Sequence, residues 1–291
     1  MELFVTQLAN GLVIGMTYAL VAIGLTLIYG IFHIINMTQG SLYMLGAYAA
    51  YVFVSGAQGN YFVAIVFAMV AVGLVGLLFE RLSVRPLLGR NHLVFILSTF
   101  GLAVITDNLV MIGFGPEPLR LASPIARKFI NVQDVLFLTQ QKVFLIVFGV
   151  AMIVLLTQFL KRTNVGRGMR AVATDQNTAA LMGINVKQIY RVTFFLGAAM
   201  SAAAGALVGA VFSIEPEMGN LLIIKSFAVV IMGGMGSVPG AFLGGLILGV
   251  SESLGGAYLT VEYKDAFGLI VMILVLLLRP QGLLGRRMGL R

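Results

Sequence analysis

The chain has no cysteine, and among its 291 residues it has only two histidines, His33 and His92. Without cysteine it can form no disulfide and no thiolate metal site, and it has no cysteine nucleophile. Two histidines alone do not complete a zinc site, and the apolar segments lack the acids that would be further ligands. The sequence therefore predicts no metal and no other cofactor.

Charged residues are also scarce, and the longest gap between them is informative. No Asp, Glu, Lys or Arg occurs in the 77 residues from Leu3 to Phe79. Soluble domains carry about a quarter charged residues, so a water-facing fold is excluded for this segment. At about 20 apolar residues per crossing, the segment has room for about three transmembrane helices. Hydrophobic residues make up 59% of the whole chain, which is typical of a polytopic membrane protein.

Sequence signatures of catalysis are absent too. The chain has no H-E-x-x-H segment, no Ser-His-Asp set and no paired carboxylates in a cavity position. It lacks the phosphate-binding loop G-x-x-x-x-G-K-[ST], so we expect no ATP binding by that device. The chain is not predicted to be an enzyme, and uphill transport would need a partner that supplies the energy.

The apolar runs predict an all-α polytopic membrane protein that forms a single domain over residues 1–291. The runs lie at roughly 5–30, 36–54, 61–79, 93–113, 143–160, 192–213, 221–253 and 266–284. The run 221–253 contains GGMGSVPG at 233–240, and glycine and proline at this density cannot continue a helix. Each arm of about 15 residues is short for a full crossing. We therefore predict about seven to nine transmembrane helices, including a broken hairpin at 221–253.

The basic residues are unevenly distributed among the connecting segments. The segments 80–90, 161–191 and 279–291 hold 13 of the 19 basic residues and only two acids, Glu80 and Asp175. Because cytoplasmic loops are enriched in Lys and Arg, these segments are predicted to face the cytoplasm. The N-terminus is then on the outer side of the membrane and the C-terminus on the cytoplasmic side. The same bias explains the net charge of +8, so we expect no nucleic-acid partner.

A second interruption lies at the start of the run 36–54, where NMTQGS at 36–41 is polar or small. Irregular backbone at membrane depth is tolerated only where it faces protein or a water-filled cavity. Two interrupted segments, one in each half of the chain, indicate a transport pathway. The alternative is that 36–41 merely form a loop between two spans, and the sequence fits it equally well.

Asp107 is the only acid that we expect well inside an apolar run. An intramembrane carboxylate is a functional-site hypothesis by default. Asp107 lies near the end of its run, however, where pairing with a neighbouring helix or exposure at the interface also explains it. A transporter driven by protons or sodium usually needs buried acids to bind the coupling ion, and this chain offers one poor candidate. The predicted pathway residues are Asn36, Gln39, Ser41, Tyr43, Asp107, Asn108, Gly233, Gly234, Gly236, Ser237 and Pro239.

The segment 161–191 is predicted to hold a short exposed helix at Asn177–Met182. Asp175 or Asn177 is placed as its N-cap, and Gly183 follows as its C-terminal stop. Small residues on this helix favour docking into a groove of another protein. The alternative is a basic loop held by anionic lipid headgroups.

Three stretches together resemble one family. They are Gly11–Tyr48 (GLVIGMTYALVAIGLTLIYGIFHIINMTQGSLYMLGAY), Gly166–Val186 (GRGMRAVATDQNTAALMGINV) and Ser226–Gly249 (SFAVVIMGGMGSVPGAFLGGLILG). They are similar to the inner-membrane permeases of branched-chain amino acid ABC importers, the LivH type, in order and over nearly the whole chain. The resemblance implies alternating access for branched-chain or related amino acids across a bacterial inner membrane. The implied partners are a second, homologous permease in a heterodimer, two cytoplasmic ATPase subunits and a periplasmic solute-binding protein.

The resemblance also implies that 161–191 is a cytoplasmic coupling loop, comparable to the Glu-Ala-Ala…Gly motif of importers. The residues concerned are Arg167, Arg170, Asp175, Thr178, Ala179, Ala180 and Gly183. Thr178 stands where the motif has Glu, and the gap before Gly183 is shorter, so the salt bridges of the motif do not transfer.

A second departure from the family keeps other solutes open. The segment NMTQG at 36–40 stands where relatives commonly read Asn-Phe-Ala-His-Gly. Other amino acids, amides or urea are therefore alternative solutes. Two further classes also remain, an ion-coupled secondary transporter that depends on Asp107 and a structural membrane protein without ATPase contact.

Overall fold

The computed structural model describes residues 2–56, 59–87, 89–125, 129–132, 136–260 and 262–285. Within these ranges the helices are α1 (Glu2–Phe32), α2 (Gln39–Gly56), α3 (Tyr61–Phe79), α4 (His92–Phe114), α5 (Gln140–Arg162), α6 (Asn164–Thr174), α7 (Gln176–Leu181), α8 (Val186–Val208), α9 (Met218–Gly233), α10 (Val238–Tyr258) and α11 (Lys264–Leu278). A π-helical turn (Glu80–Val84) and a 3₁₀ turn (Arg85–Leu87) extend α3. Strands β1 (Phe129–Val132) and β2 (Leu136–Thr139) form a small antiparallel hairpin between α4 and α5.

The all-α polytopic architecture predicted from the sequence is confirmed. Six helices among the described residues are long and apolar enough to cross a bilayer: α1, α3, α4, α5, α8 and α10. The broken hairpin is also present, as α9 and α10. Its arms are unequal, however, because α10 has 21 residues and rises about 32 Å, whereas α9 has 16 and rises about 24 Å.

Helices α1 and α8 form the centre of the bundle. Within an apolar stretch of 18 residues, 83% of the residues are buried in α1 and 78% in α8. The corresponding shares are 28% in α4 and 22% in α5. Helix α1 packs against α8, α9 and α10, and α8 also packs against α2 and α3. The peripheral helices α3, α4, α5 and α11 carry most of the exposed large apolar side chains, as expected for a surface that faces lipid.

Glycine lets several of these helices approach closely. A Cβ atom on Gly249 of α10 would overlap the backbone nitrogen of Gly15 in α1, and one on Gly205 of α8 would overlap the Tyr43 carbonyl oxygen in α2. Small residues at such contacts favour helix association in membranes by allowing close van der Waals packing. These glycines therefore serve the close packing of one helix against another.

Replacing Gly205 with alanine is expected to destabilise the protein by about 1–3 kcal/mol, because the new methyl group overlaps the backbone of α2. The matched control is Gly113→Ala in α4, where a Cβ atom meets nothing within 4 Å. This change is expected to be neutral or slightly stabilising. The temperature at which each variant loses its monodisperse peak in detergent measures both effects. Equal midpoint temperatures for the two variants would contradict this packing.

The structure brings the described parts of the three basic segments, residues 80–87, 89–90, 161–191 and 279–285, to one end of the bundle, which we call the basic end. The turn after α3 packs against the start of α8. In the segment after α11, the Leu283 N–H donates to the Met232 carbonyl at 2.8 Å and the Leu284 N–H to the Gly233 carbonyl at 3.1 Å. The turn between α9 and α10 therefore lies at the same end as the basic residues.

Candidate functional site

The chain between α1 and α2 is irregular over residues 33–38. His33 has φ of +54°, a left-handed backbone that is uncommon for a residue with a side chain and that turns the chain after α1. Asn36 and Thr38 are fully buried. The Asn36 Oδ1 atom accepts hydrogen bonds from the Thr38 backbone N–H at 3.2 Å and its hydroxyl at 2.7 Å, which fixes the irregular backbone from within.

Gln39 shows that α2 begins inside the bundle. Its Nε2 atom donates to the Gly197 carbonyl at 2.9 Å and to the Ser201 Oγ at 2.6 Å, both in the interior of α8. A Cβ atom on Gly24, eight residues before the end of α1, would meet the same amide nitrogen. The interruption predicted at 36–41 is therefore buried within the bundle. It is not a loop that lies beyond the end of the bundle.

A groove with a volume of about 550 Å³ opens between the start of α2, the middle of α4 and the start of α9. Of the predicted pathway residues, Ser41, Asp107 and Asn108 line it. The buried Ser41 hydroxyl donates to the Asp107 Oδ1 at 2.7 Å, which joins α2 to α4. Glu217 and Asn220 add polar groups from the start of α9, and the sequence did not single these two out.

The remaining predicted pathway residues lie elsewhere. Asn36 and Gln39 form the buried network described above, and Tyr43 is buried against α8. The glycines and neighbours at 233–239 are at the basic end, away from the groove. There Gly234 and Gly236 have φ of +100° and +84°, and the Ser237 hydroxyl accepts from the Gly240 N–H at 3.2 Å as the N-cap of α10. Gly236 lies beside Gly30, three residues before the irregular segment 33–38 begins, so this turn packs against the end of α1 and does not line the groove.

The expectation that Asp107 is the only acid well inside an apolar run is wrong. Glu252 of α10 is 4% exposed, and its carboxylate lies 2.5 Å from the Nζ of Lys225 in α9. Lys225 also lies 2.6 Å from the Asp265 carboxylate in α11, and the Tyr18 hydroxyl of α1 donates to Glu252 at 2.8 Å. We call these four residues the ion cluster. Both Glu252 oxygens are occupied within it, which leaves the acid paired instead of available to a coupling ion.

The predicted short helix in 161–191 is confirmed, as α7. Asp175 is its N-cap and accepts from the backbone N–H groups of Asn177 at 2.8 Å and Thr178 at 3.1 Å. The Thr178 hydroxyl donates to it at 2.9 Å. These bonds, led by the Thr178 backbone N–H, hold the pKa of Asp175 below its ordinary value. Gly183, with φ of +84°, follows the end of the helix as predicted.

Helix α6 precedes α7, and the sequence did not predict it. Thr163 caps it, and Met169 and Val172 bury one side of it. Of the two arginines predicted to take part in coupling, Arg167 donates to the Asn164 side chain and Arg170 to the Leu160 carbonyl in the last turn of α5.

The C-terminal end of α7 exposes two large apolar side chains. Ala179 is buried and seats the helix, and Ala180 is exposed. Leu181 and the following Met182 are 89% and 78% exposed. The sequence pointed to the small residues here, but the two large side chains are the more prominent feature.

Gln176 ties α7 to the rest of the bundle. Its Nε2 atom donates to the Ile31 carbonyl at the end of α1 at 3.1 Å, and its Oε1 atom accepts from the Tyr190 hydroxyl at the start of α8 at 2.7 Å. The Phe32 ring packs on the Tyr190 ring with centroids 4.3 Å apart. Gln176 therefore connects α7 to the end of α1, just before the irregular segment 33–38 begins.

Comparison with known proteins identifies the family. Residues 7–276 match the family described as branched-chain amino acid transport system, permease component. The permease protein LivH of the high-affinity branched-chain amino acid transport system of Escherichia coli K12 is 38% identical over 97% of this chain and 96% of its own. BraD of the corresponding system of Pseudomonas aeruginosa is 36% identical over the same shares. A probable branched-chain amino acid permease LivH of Methanocaldococcus jannaschii is 32% identical over 91% and 88%.

The matches run through all of the transmembrane helices and both interrupted segments. At these identities and coverages the relationship extends over the whole bundle. The chain is therefore a multi-pass membrane protein that belongs to the family of branched-chain amino acid transport system permease components.

Proposed function

We propose that this protein is the membrane permease of an ATP-driven importer that carries branched-chain amino acids across a bacterial inner membrane by alternating access. The observation that carries the proposal is α7. It is a capped helix, fixed to α1 and α8 through Gln176, that presents Leu181 and Met182 at the basic end. This arrangement suits a rigid element that an ATPase subunit pushes.

The proposed assembly follows from the family. Two cytoplasmic ATPase subunits dock at the basic end, a second homologous permease pairs with this one, and a periplasmic binding protein delivers the solute. The N-terminus is periplasmic and the C-terminus cytoplasmic, in agreement with the bias of Lys and Arg toward the basic end. ATP hydrolysis belongs to the partner subunits.

The proposed coupling runs from α7 to the groove in three steps. ATP binding moves α7, Gln176 transmits the movement to the end of α1, and the irregular segment 33–38 shifts the start of α2. Ser41 at that start is bonded to Asp107 in the groove. The ATPases must interact differently with the inward-open and outward-open states, because a partner that binds both equally shifts nothing.

Uptake by the reconstituted complex tests the proposal. Proteoliposomes that hold both permeases and both ATPases, with ATP inside the lumen on the cytoplasmic side and loaded binding protein outside, are expected to accumulate labelled leucine. Complexes with a catalytically dead ATPase are the control. Competition by isoleucine and valine but not by urea or an amide is expected. Leucine uptake that continues without ATP, or no uptake of any of these solutes, would overturn the assignment.

A further inference from the structure

We propose that the groove between α2, α4 and α9 is a solute site in which the Asp107 carboxylate binds the ammonium group of the solute. The inference rests on the proposed function, since it concerns the solute of the same transporter.

The charge of the groove favours a cation. Its lining among the described residues contains two acids, Asp107 and Glu217, and no lysine or arginine. A cleft lined by charge of one sign, with apolar walls, concentrates counter-ions and repels ions of its own sign. A solute that carries an ammonium group is therefore attracted, and one that carries only a carboxylate is repelled.

The two oxygens of Asp107 have different surroundings. The Oδ1 atom accepts the Ser41 hydroxyl at 2.7 Å, which fixes the orientation of the carboxylate. The Oδ2 atom has no hydrogen-bond partner within the described part of the chain. A carboxylate has about four acceptor positions, so an ammonium donor can bind at Oδ2 without displacing Ser41. Such a charge-assisted bond is roughly twice as strong as one between neutral groups.

The rest of the groove suits an aliphatic side chain. Met37, Phe100, Met111 and Ile223 contribute apolar surface to it. The volume of about 550 Å³ lies within the range of about 300–1,000 Å³ that is usual for small-molecule sites. An amino acid with a branched apolar side chain therefore finds a charged partner for its ammonium group and an apolar wall for its side chain.

A purely structural role predicts something different for Asp107. If the carboxylate only joined α4 to α2 through Ser41, an asparagine would accept the same hydrogen bond and leave solute binding unchanged. Asp107→Asn removes the charge and keeps both the shape and this acceptor. The substitution therefore separates the two roles.

The test uses the permease and ATPase complex in nanodiscs, without the binding protein, and ligand-detected NMR. The probes are leucine, 3-methylbutylamine, which keeps the ammonium but lacks the carboxylate, and 4-methylpentanoate, which keeps the carboxylate but lacks the ammonium. We expect the first two to bind competitively and the third not to bind. Asp107→Asn is expected to weaken the binding of both amines roughly tenfold to a hundredfold. The control Glu117→Gln changes an exposed acid outside the groove and leaves binding unchanged.

Three results would overturn the inference: 4-methylpentanoate binding as tightly as leucine, Asp107→Asn binding leucine like the native chain, or no probe binding the native complex. These are distinct from failure of the proposed function. ATP-driven leucine uptake that persists in Asp107→Asn at native rate, with native binding, removes only the groove assignment. Amine binding that depends on Asp107 in a complex that does not import leucine removes only the proposed solute.

Discussion

Replacing Lys225 with methionine is expected to destabilise the protein by about 3–5 kcal/mol, because it removes the only cation of the ion cluster and leaves the buried Glu252 carboxylate without a counter-charge. Methionine preserves most of the volume of lysine, so the loss is electrostatic and not a cavity. The cluster joins four helices, α1, α9, α10 and α11, and the loss therefore loosens both arms of the hairpin at once.

A double substitution separates this charge effect from a loss of packing. Lys225→Met together with Glu252→Gln leaves no unpaired charge at the buried position, and a neutral replacement of a buried ion pair is often close to neutral in stability. We expect the double variant to recover most of the stability that Lys225→Met loses. In that variant the Tyr18 hydroxyl can still donate a hydrogen bond, now to the side-chain carbonyl oxygen of the introduced glutamine.

Asp265→Asn shows how much stability is lost when the acid paired with Lys225 is partly exposed. Its side chain is 44% exposed, compared with 4% for Glu252, so water compensates for much of what the pair with Lys225 contributes. The expected loss is below about 1 kcal/mol. Unfolding in a mixed-detergent titration measures all three variants. A double variant as unstable as Lys225→Met would show that the lysine acts by packing, which would contradict this account of the ion cluster.

The features that the sequence predicted correctly are those set by neighbouring residues. Asp175 caps α7 because its side chain reaches the N–H groups two and three residues ahead, and Gly183 ends the helix because it adopts positive φ at no cost. The break of the hairpin likewise follows from Gly234 and Gly236, whose positive φ angles are local properties.

The features that the sequence did not predict depend on which helices meet. Lys225 and Glu252 are 27 positions apart, and only the folding of α9 against α10 brings them together. Ser41 and Asp107 are 66 positions apart, and their hydrogen bond depends on how α2 packs on α4. Each of these residues can be recognised in the sequence as a polar group in an apolar run. The tertiary fold, however, decides which residue it contacts.

Helix α6 was missed for a different reason. It contains Gly166 and Gly168, which lower helix propensity by about 1 kcal/mol each relative to alanine. The structure accounts for the first of them, because a Cβ atom on Gly166 would overlap the Leu160 carbonyl oxygen. Tertiary packing outweighs local propensity here, since Met169 and Val172 bury one side of the helix.

Replacing Leu181 and Met182 together with aspartate is expected to abolish the docking of the ATPase subunits. Burying one such apolar side chain contributes about 1.5–3 kcal/mol, so losing two weakens the contact by about 3–6 kcal/mol. At about 1.4 kcal/mol per factor of ten, the affinity falls by roughly a hundredfold to ten-thousandfold. Both side chains are exposed at the end of α7, so the substitution leaves the fold of the permease intact.

Co-purification of the ATPases in detergent and leucine uptake in proteoliposomes measure this loss, and we expect both to disappear together. Asn177→Asp, a charged substitution at another exposed position of the same helix, is the matched control and is expected to retain both. Binding of the ATPases that survives the double substitution would show that Leu181 and Met182 do not carry the docking contact. In that case α7 does not couple the motor to the pathway through these side chains.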